Sequence, residues 1–226
     1  MQIRETIRHA KEQSDYTEGL RALIVKQLPK LHGAIQLPES NPEGALLDFV
    51  IRYIEHVPNF VDALRGLTKE AGIYDDYASI FITLAEEFFT QPPEVLADHN
   101  GLDALMDEAY LAHRLIEEVN DRLIAHSGIP LVPMDMTRAN LIVHELIGEP
   151  FANDLDFVVH YSTEIHMDKE KELSNNSNFQ RYVDEHKKNG WSTELNRWPC
   201  LADDLDINLE FESLKDTTPV DNPVLH

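Results

Sequence analysis

The sequence predicts an all-α protein, an antiparallel multi-helix bundle with a less regular C-terminal extension that has room for a short strand. Three observations predict it. Apolar residues recur at steps of three and four through most of the first 150 residues. Pro, Gly, Asn and Asp stand where those stripes begin and end, and no convincing strand pattern interrupts them. Residues 1–150 therefore read as the bundle core, 151–198 as further helices packed on it, and 199–226 as an extended C-terminal arm.

Each segment has a local chemical reason. Residues 2–13 suit a short polar helix, and Asp15 with Glu18 forms a capping-box variant ahead of a stripe of Leu20, Leu23, Ile24, Leu28 and Leu31. Asn41 as N-cap and Pro42 in the first turn open a helix carrying Leu46, Leu47, Val50, Tyr53, Ile54 and Val57. Pro58 is expected to kink or restart it before Phe60, Val61 and Leu64, and Gly72 ends it. Asp75 is placed to cap a Phe-rich helix with apolar residues on two sides, stopped by Pro92 and Pro93, so that helix is expected to be central and buried.

The strongest periodicity follows. From a cap at Asn100, Leu102, Leu105, Ala109, Ala112, Ile116, Val119 and Leu123 keep one face until Gly128 and Pro130. Asp135 or Thr137 caps the next helix, with Ala139, Ile142, Val143, Leu146 and Ile147, ended by Gly148. Phe157, Val158, Tyr161 and Ile165 suit a further helix, as do residues 178–188 before Gly190. Ile207, Leu209 and Phe211 alternate with polar residues as a strand does, whereas Pro219, Asp221 and Pro223 resist regular structure.

Composition narrows the function classes. With 41 Asp and Glu against 19 Lys and Arg the formal charge is -22, which repels nucleic acid phosphates, and no basic patch offsets it. A lone cysteine, Cys200, makes no intramolecular disulfide and suits a reducing, cytoplasmic compartment. The longest apolar run, Ala22 to Val25, is far short of the roughly 20 residues that span a bilayer. Glycine-rich phosphate loops are missing, so no nucleotide cofactor is indicated. His144-Glu145 begins like a zinc-protease motif, but Gly148 stands where the second His belongs, and no Glu is followed three residues later by His as in di-iron bundles.

The polar residues on the strongest apolar stripe are the candidate site. His113 and Glu117, one turn apart, share a face and suit a metal ion or an acid/base pair, with Glu87 of the Phe-rich helix as a third group and Glu108 within reach. Tyr110 and Asn120 lie on the same stripe or its shoulder and are candidates for ligand binding. Asn at such a position also serves to fix register. His56 and Glu55 fall opposite the Val50 stripe and are expected to be exposed. Three functions are compatible with these residues: a cytoplasmic module that binds a protein partner or itself, a metal-dependent enzyme, with iron among the candidate metals, whose site is inside the bundle, and a binder of a small apolar ligand.

Overall fold

The stripes read from the sequence fold into helices that bury them. The computed structural model describes residues 2–12, 17–96, 102–132, 135–166, 175–189 and 207–209. Helix α1 (Gln2–Lys11) buries Ile3 and Ile7. Helix α2 (Glu18–Gln27) buries Leu20 and Ile24, and gives way to a tight 3-10 turn at Leu28–Lys30, where Pro29 lacks the N–H that another α turn requires. Thr17 holds the cap position of α2 and makes no side-chain cap bond; Asp15 lies outside the described residues. A two-residue strand, β1 (Ile35–Gln36), precedes helix α3 (Pro42–Glu70).

Asn41 caps α3 as its sequence predicts, its side-chain oxygen accepting from the Gly44 N–H at 3.1 Å. Pro58 neither ends nor restarts the helix. It lies buried inside one continuous run of 29 residues, because Phe60, Val61 and Leu64 resume the core-facing stripe directly after it. Gly72, with a φ of +69°, ends the helix in a conformation that favours glycine. A π-helical turn at Tyr74–Ala78 then takes up Asp75, so helix α4 (Ser79–Thr90) starts without the expected side-chain cap. Its Phe81, Ile82, Ala85, Phe88 and Phe89 are all buried, as two apolar sides require.

Helix α5 (Leu102–Ser127) is the hub, packing against α4, α3 and α2 and also against helices α6 (Thr137–Ile147) and α7 (Phe151–His166). Its predicted stripe from Leu105 to Leu123 is buried throughout, while the cap Asn100 lies outside the described residues. Neither Asp135 nor Thr137 caps α6, which begins after Met136 without a side-chain cap. In α7 the inward face is Ala152, Leu155, Val159 and Thr163, so Phe157, Tyr161 and Ile165 face outward rather than into the core. Helix α8 (Ser177–Asn189) follows, and Asn178 donates to the carbonyl of Gly72 at 3.2 Å, tying α8 to the end of α3.

The alternating residues near 208 do form a strand. Strand β2 (Asn208–Leu209) pairs antiparallel with β1, Ile35 opposite Leu209 and Gln36 opposite Asn208. Two-residue strands carry no periodicity, which is why β1 has no signature of its own in the sequence. Cys200 and the rest of the expected arm, apart from 207–209, lie outside the described residues. Among the described residues no helix is long and apolar enough to cross a membrane.

Because α5 is packed on so many sides, truncating it leaves a cavity that its neighbours cannot easily fill. Leu115→Ala, at a fully buried position, is expected to cost about 3 kcal/mol. Leu141→Ala, at a position 44% exposed, is expected to cost well under about 1 kcal/mol. Urea unfolding of both variants, read as midpoint shifts at constant slope, checks the hub assignment.

Candidate functional site

Polar side chains from four helices meet along one side of α5 and form a continuous chain. It begins on α3, where Tyr53 donates its hydroxyl to Asn140 Oδ1 of α6 at 2.6 Å. Asn140 Nδ2 donates to Glu117 Oε2 at 2.6 Å, and Arg114 Nη1 donates to the same oxygen at 2.6 Å. Arg114 Nε then donates to Asp156 Oδ1 of α7 at 3.1 Å, and the Tyr110 hydroxyl donates there at 2.8 Å. His144 closes the chain, its Nε2 facing Asp156 Oδ2 at 3.5 Å.

Charge explains the order of the chain. Arg114 is the cation between two carboxylates, and although burial alone would lower its pKa, Glu117 and Asp156 together hold it above its ordinary value. Burial pushes the Tyr110 phenol up, and the nearby Asp156 carboxylate adds to that. Burial likewise raises Tyr53, and the Glu117 carboxylate adds to that. Both phenols therefore stay protonated and act as donors, as the geometry requires.

A second cluster lies against the first. The His113 ring is fully buried beside Tyr53, with centroids 4.3 Å apart, and its Nε2 lies 3.1 Å from His56 Nδ1. Phe60 flanks both imidazoles, 5.8 Å from His56 and 5.7 Å from His113 between ring centroids. Burial lowers the pKa of His56 to about 4 and holds His113 well below the usual imidazole range, where the neighbouring His56 lowers it further. One ring donates to the other as a neutral pair. His113 Nδ1 makes no hydrogen bond among the described residues, and the backbone of Ala109, one turn back, partly offsets the lowering.

These positions revise the expected constellation. His113 pairs with His56 rather than Glu117, because Arg114 and Asn140 supply the donors that a carboxylate withdrawn from water needs. His56 is consequently half-buried, not exposed, and Glu55 is also half-buried in an ion pair with Lys11. Glu87 is exposed on α4 and does not join His113. Among the described residues no group of three or more His, Cys, Asp and Glu side chains could hold a metal ion. Asn120 is buried, but its amide is committed to the chain after α5, accepting from Leu131 N at 2.9 Å and Val132 N at 3.1 Å and donating to the Val132 carbonyl at 3.1 Å. That makes it a clamp on the α5–α6 connection rather than a ligand contact. Tyr110 and Glu117 do belong to one site, joined through Arg114.

Glu108 has a separate environment. It is only 8% exposed, its Oε2 has no partner among the described residues, and burial with Asp107 beside it pushes its pKa up to about 8. Arg114, Asn140, Asp156 and His144 are the members of the polar chain that the sequence does not single out as a group. Their signal is weak because each comes from a different turn or helix, and only folding makes them neighbours. Comparison with protein-family models, curated proteins and solved structures finds no match for this chain.

Two pH effects of opposite sign follow. His56 and His113 titrate near 6.5 when unfolded and lower when folded, so the unfolded chain binds more protons and stability falls as pH drops below 6.5. Glu108 titrates near 4.5 when unfolded and about 8 when folded, so it removes stability as pH rises between those values. Urea unfolding between pH 5 and 9 should show Glu108→Gln losing the decline above about pH 6.5, and His56→Phe a shallower acid decline than the parent. Asn120→Ala strands two buried N–H groups and is expected to cost about 3 kcal/mol at pH 7. A loss below about 1 kcal/mol in the same unfolding assay would refute the clamp.

Proposed function

We propose that this chain is a protein-binding module that docks a basic amphipathic helix of its partner on the outward face of α7. The observation that carries the reading is the exposure of Phe157, Tyr161 and Ile165, at 68%, 60% and 52%, spaced four residues apart along one helix. Side chains at that spacing lie in a row, and the first two rings stack, with centroids 6.3 Å apart and an interplanar angle of 12°. Aromatic residues clustered on a rigid helix are the usual anchors of helix-to-helix recognition.

Charge supports the choice of partner. Asp154 is exposed on the same helix, Glu164 is paired with Arg122 at 2.8 Å, and the chain carries a formal charge of -22. A second copy brings the same charge to the contact and is repelled, whereas a Lys- and Arg-rimmed helix is attracted. The same field disfavours nucleic acid. A cytoplasmic setting belongs to this reading and rests on the lone cysteine.

The test uses two labelled peptides of Leu and Lys with identical composition, one with the apolar residues at helical spacing and one scrambled. Fluorescence anisotropy at roughly 0.15 M salt, where long-range attraction is screened, should show the periodic peptide binding at least about tenfold more tightly. The variant F157S/Y161S should remove that difference while leaving the unfolding midpoint within error. Equal binding of both peptides, or no effect of the variant, would reject the α7 face. Concentration-dependent dimerisation of the peptide-free chain that the same variant abolishes would assign the face to a second copy instead.

A further inference from the structure

A pocket of about 230 Å³ opens between α6 and the β1–β2 pair. Helix α6 contributes Leu141, His144 and Glu145, which share one face at steps of three and four, opposite the buried Ile142, Val143 and Leu146. The strand pair contributes Ile35 and Leu209, which face each other in register, and the turn before β1 contributes His32. An apolar floor thus carries two imidazoles and a carboxylate on its walls.

One imidazole has its proton placed by a neighbour: His32 Nδ1 accepts from the Ala34 N–H at 3.1 Å, which leaves the proton on Nε2 as a donor. The His144 ring lies with its Nε2 3.5 Å from the Asp156 carboxylate. The pocket therefore offers an anion at Glu145, a donor at His32 and the imidazole of His144. Its volume is below the roughly 300 Å³ at which drug-sized ligands begin to fit.

We propose that this pocket binds a small amphipathic amine, its ring or short chain on Ile35, Leu141 and Leu209, its ammonium on Glu145 beside the His144 imidazole, and a hydroxyl accepting from His32 Nε2–H. Cation selection follows from Glu145 and the acidic surface, which raise the local concentration of small cations. The site uses other residues than the α7 face: α6 and the strand pair line it, whereas Phe157, Tyr161 and Ile165 stand on α7.

Tyramine is a suitable probe, with 4-ethylphenol as its uncharged counterpart. Titration of the full chain should be followed by calorimetry and by the imidazole nitrogen resonances of His32 and His144. Tyramine should saturate, shift both imidazoles and bind at least about tenfold more tightly than 4-ethylphenol. Leu141→Trp, which fills the pocket from an exposed position, should abolish the shifts, and Glu145→Gln should remove most of the preference for the amine. Circular dichroism and the urea midpoint should stay at parental values in both variants. Unshifted imidazoles at saturating probe, equal affinity for both compounds, or undiminished binding to the Leu141→Trp variant would each overturn the proposal.

Discussion

Arg114, held between Glu117 and Asp156, is the interaction on which the rest of the interior depends. Two carboxylates withdrawn from water on adjacent helices would repel α7 from α5 unless a cation stood between them. With the guanidinium in place, each carboxylate has capacity left to accept further donors, and those donors are what tie in the other helices. Glu117 accepts from Asn140 of α6, which in turn accepts from Tyr53 of α3, while Asp156 accepts from Tyr110 and faces His144. An ion pair of this kind gives little net stability over a well-packed apolar contact, but it is satisfied in only one arrangement of the helices. Its contribution is to the relative placement of α3, α5, α6 and α7, while the apolar hub supplies the driving force.

The apolar hub is the part that the sequence makes legible. Periodicity alone marks the stripe of α5, because a helix packed on several sides has little tolerance for polar residues along it, and Asn41, Pro42, Gly72 and Gly128 announce their boundaries by backbone chemistry. Boundaries that depend on tertiary geometry are less visible. Asp75 looks like an N-cap until a π-helical turn absorbs it, and Pro58 looks like a break until the buried stripe on both sides carries the helix past it. In α7 the outward Phe157 and Tyr161 are larger than the inward Ala152, Leu155 and Val159, so hydrophobicity by itself points to the wrong face.

The candidate site was legible by halves for a related reason. His113, Glu117 and Tyr110 stand out because they are polar groups on or beside an apolar stripe, and all three prove to be buried or nearly so. Which partners satisfy them is a property of the neighbouring helices. His56 reads as exposed when α3 is viewed alone, since its own stripe lies opposite, yet α5 covers that side and the imidazole meets His113. Asp156 sits in a stretch of mixed character and has no helical-period signal, although it accepts from two side chains and lies 3.5 Å from a third.

Helix α7 joins the two kinds of surface in this molecule. One side is fixed by Val159 in the core and by Asp156 on Arg114, and the other presents Phe157 one residue further along. A large apolar side chain left in water would gain by turning inward, but here the inward positions are already occupied by Leu155 and Val159 and the register is held by the Asp156 contacts. The exposed row is therefore imposed by the polar interior rather than left over from imperfect packing. A partner docking on it would meet a helix already ordered, which reduces the entropy lost on binding and suits recognition by a few anchored side chains.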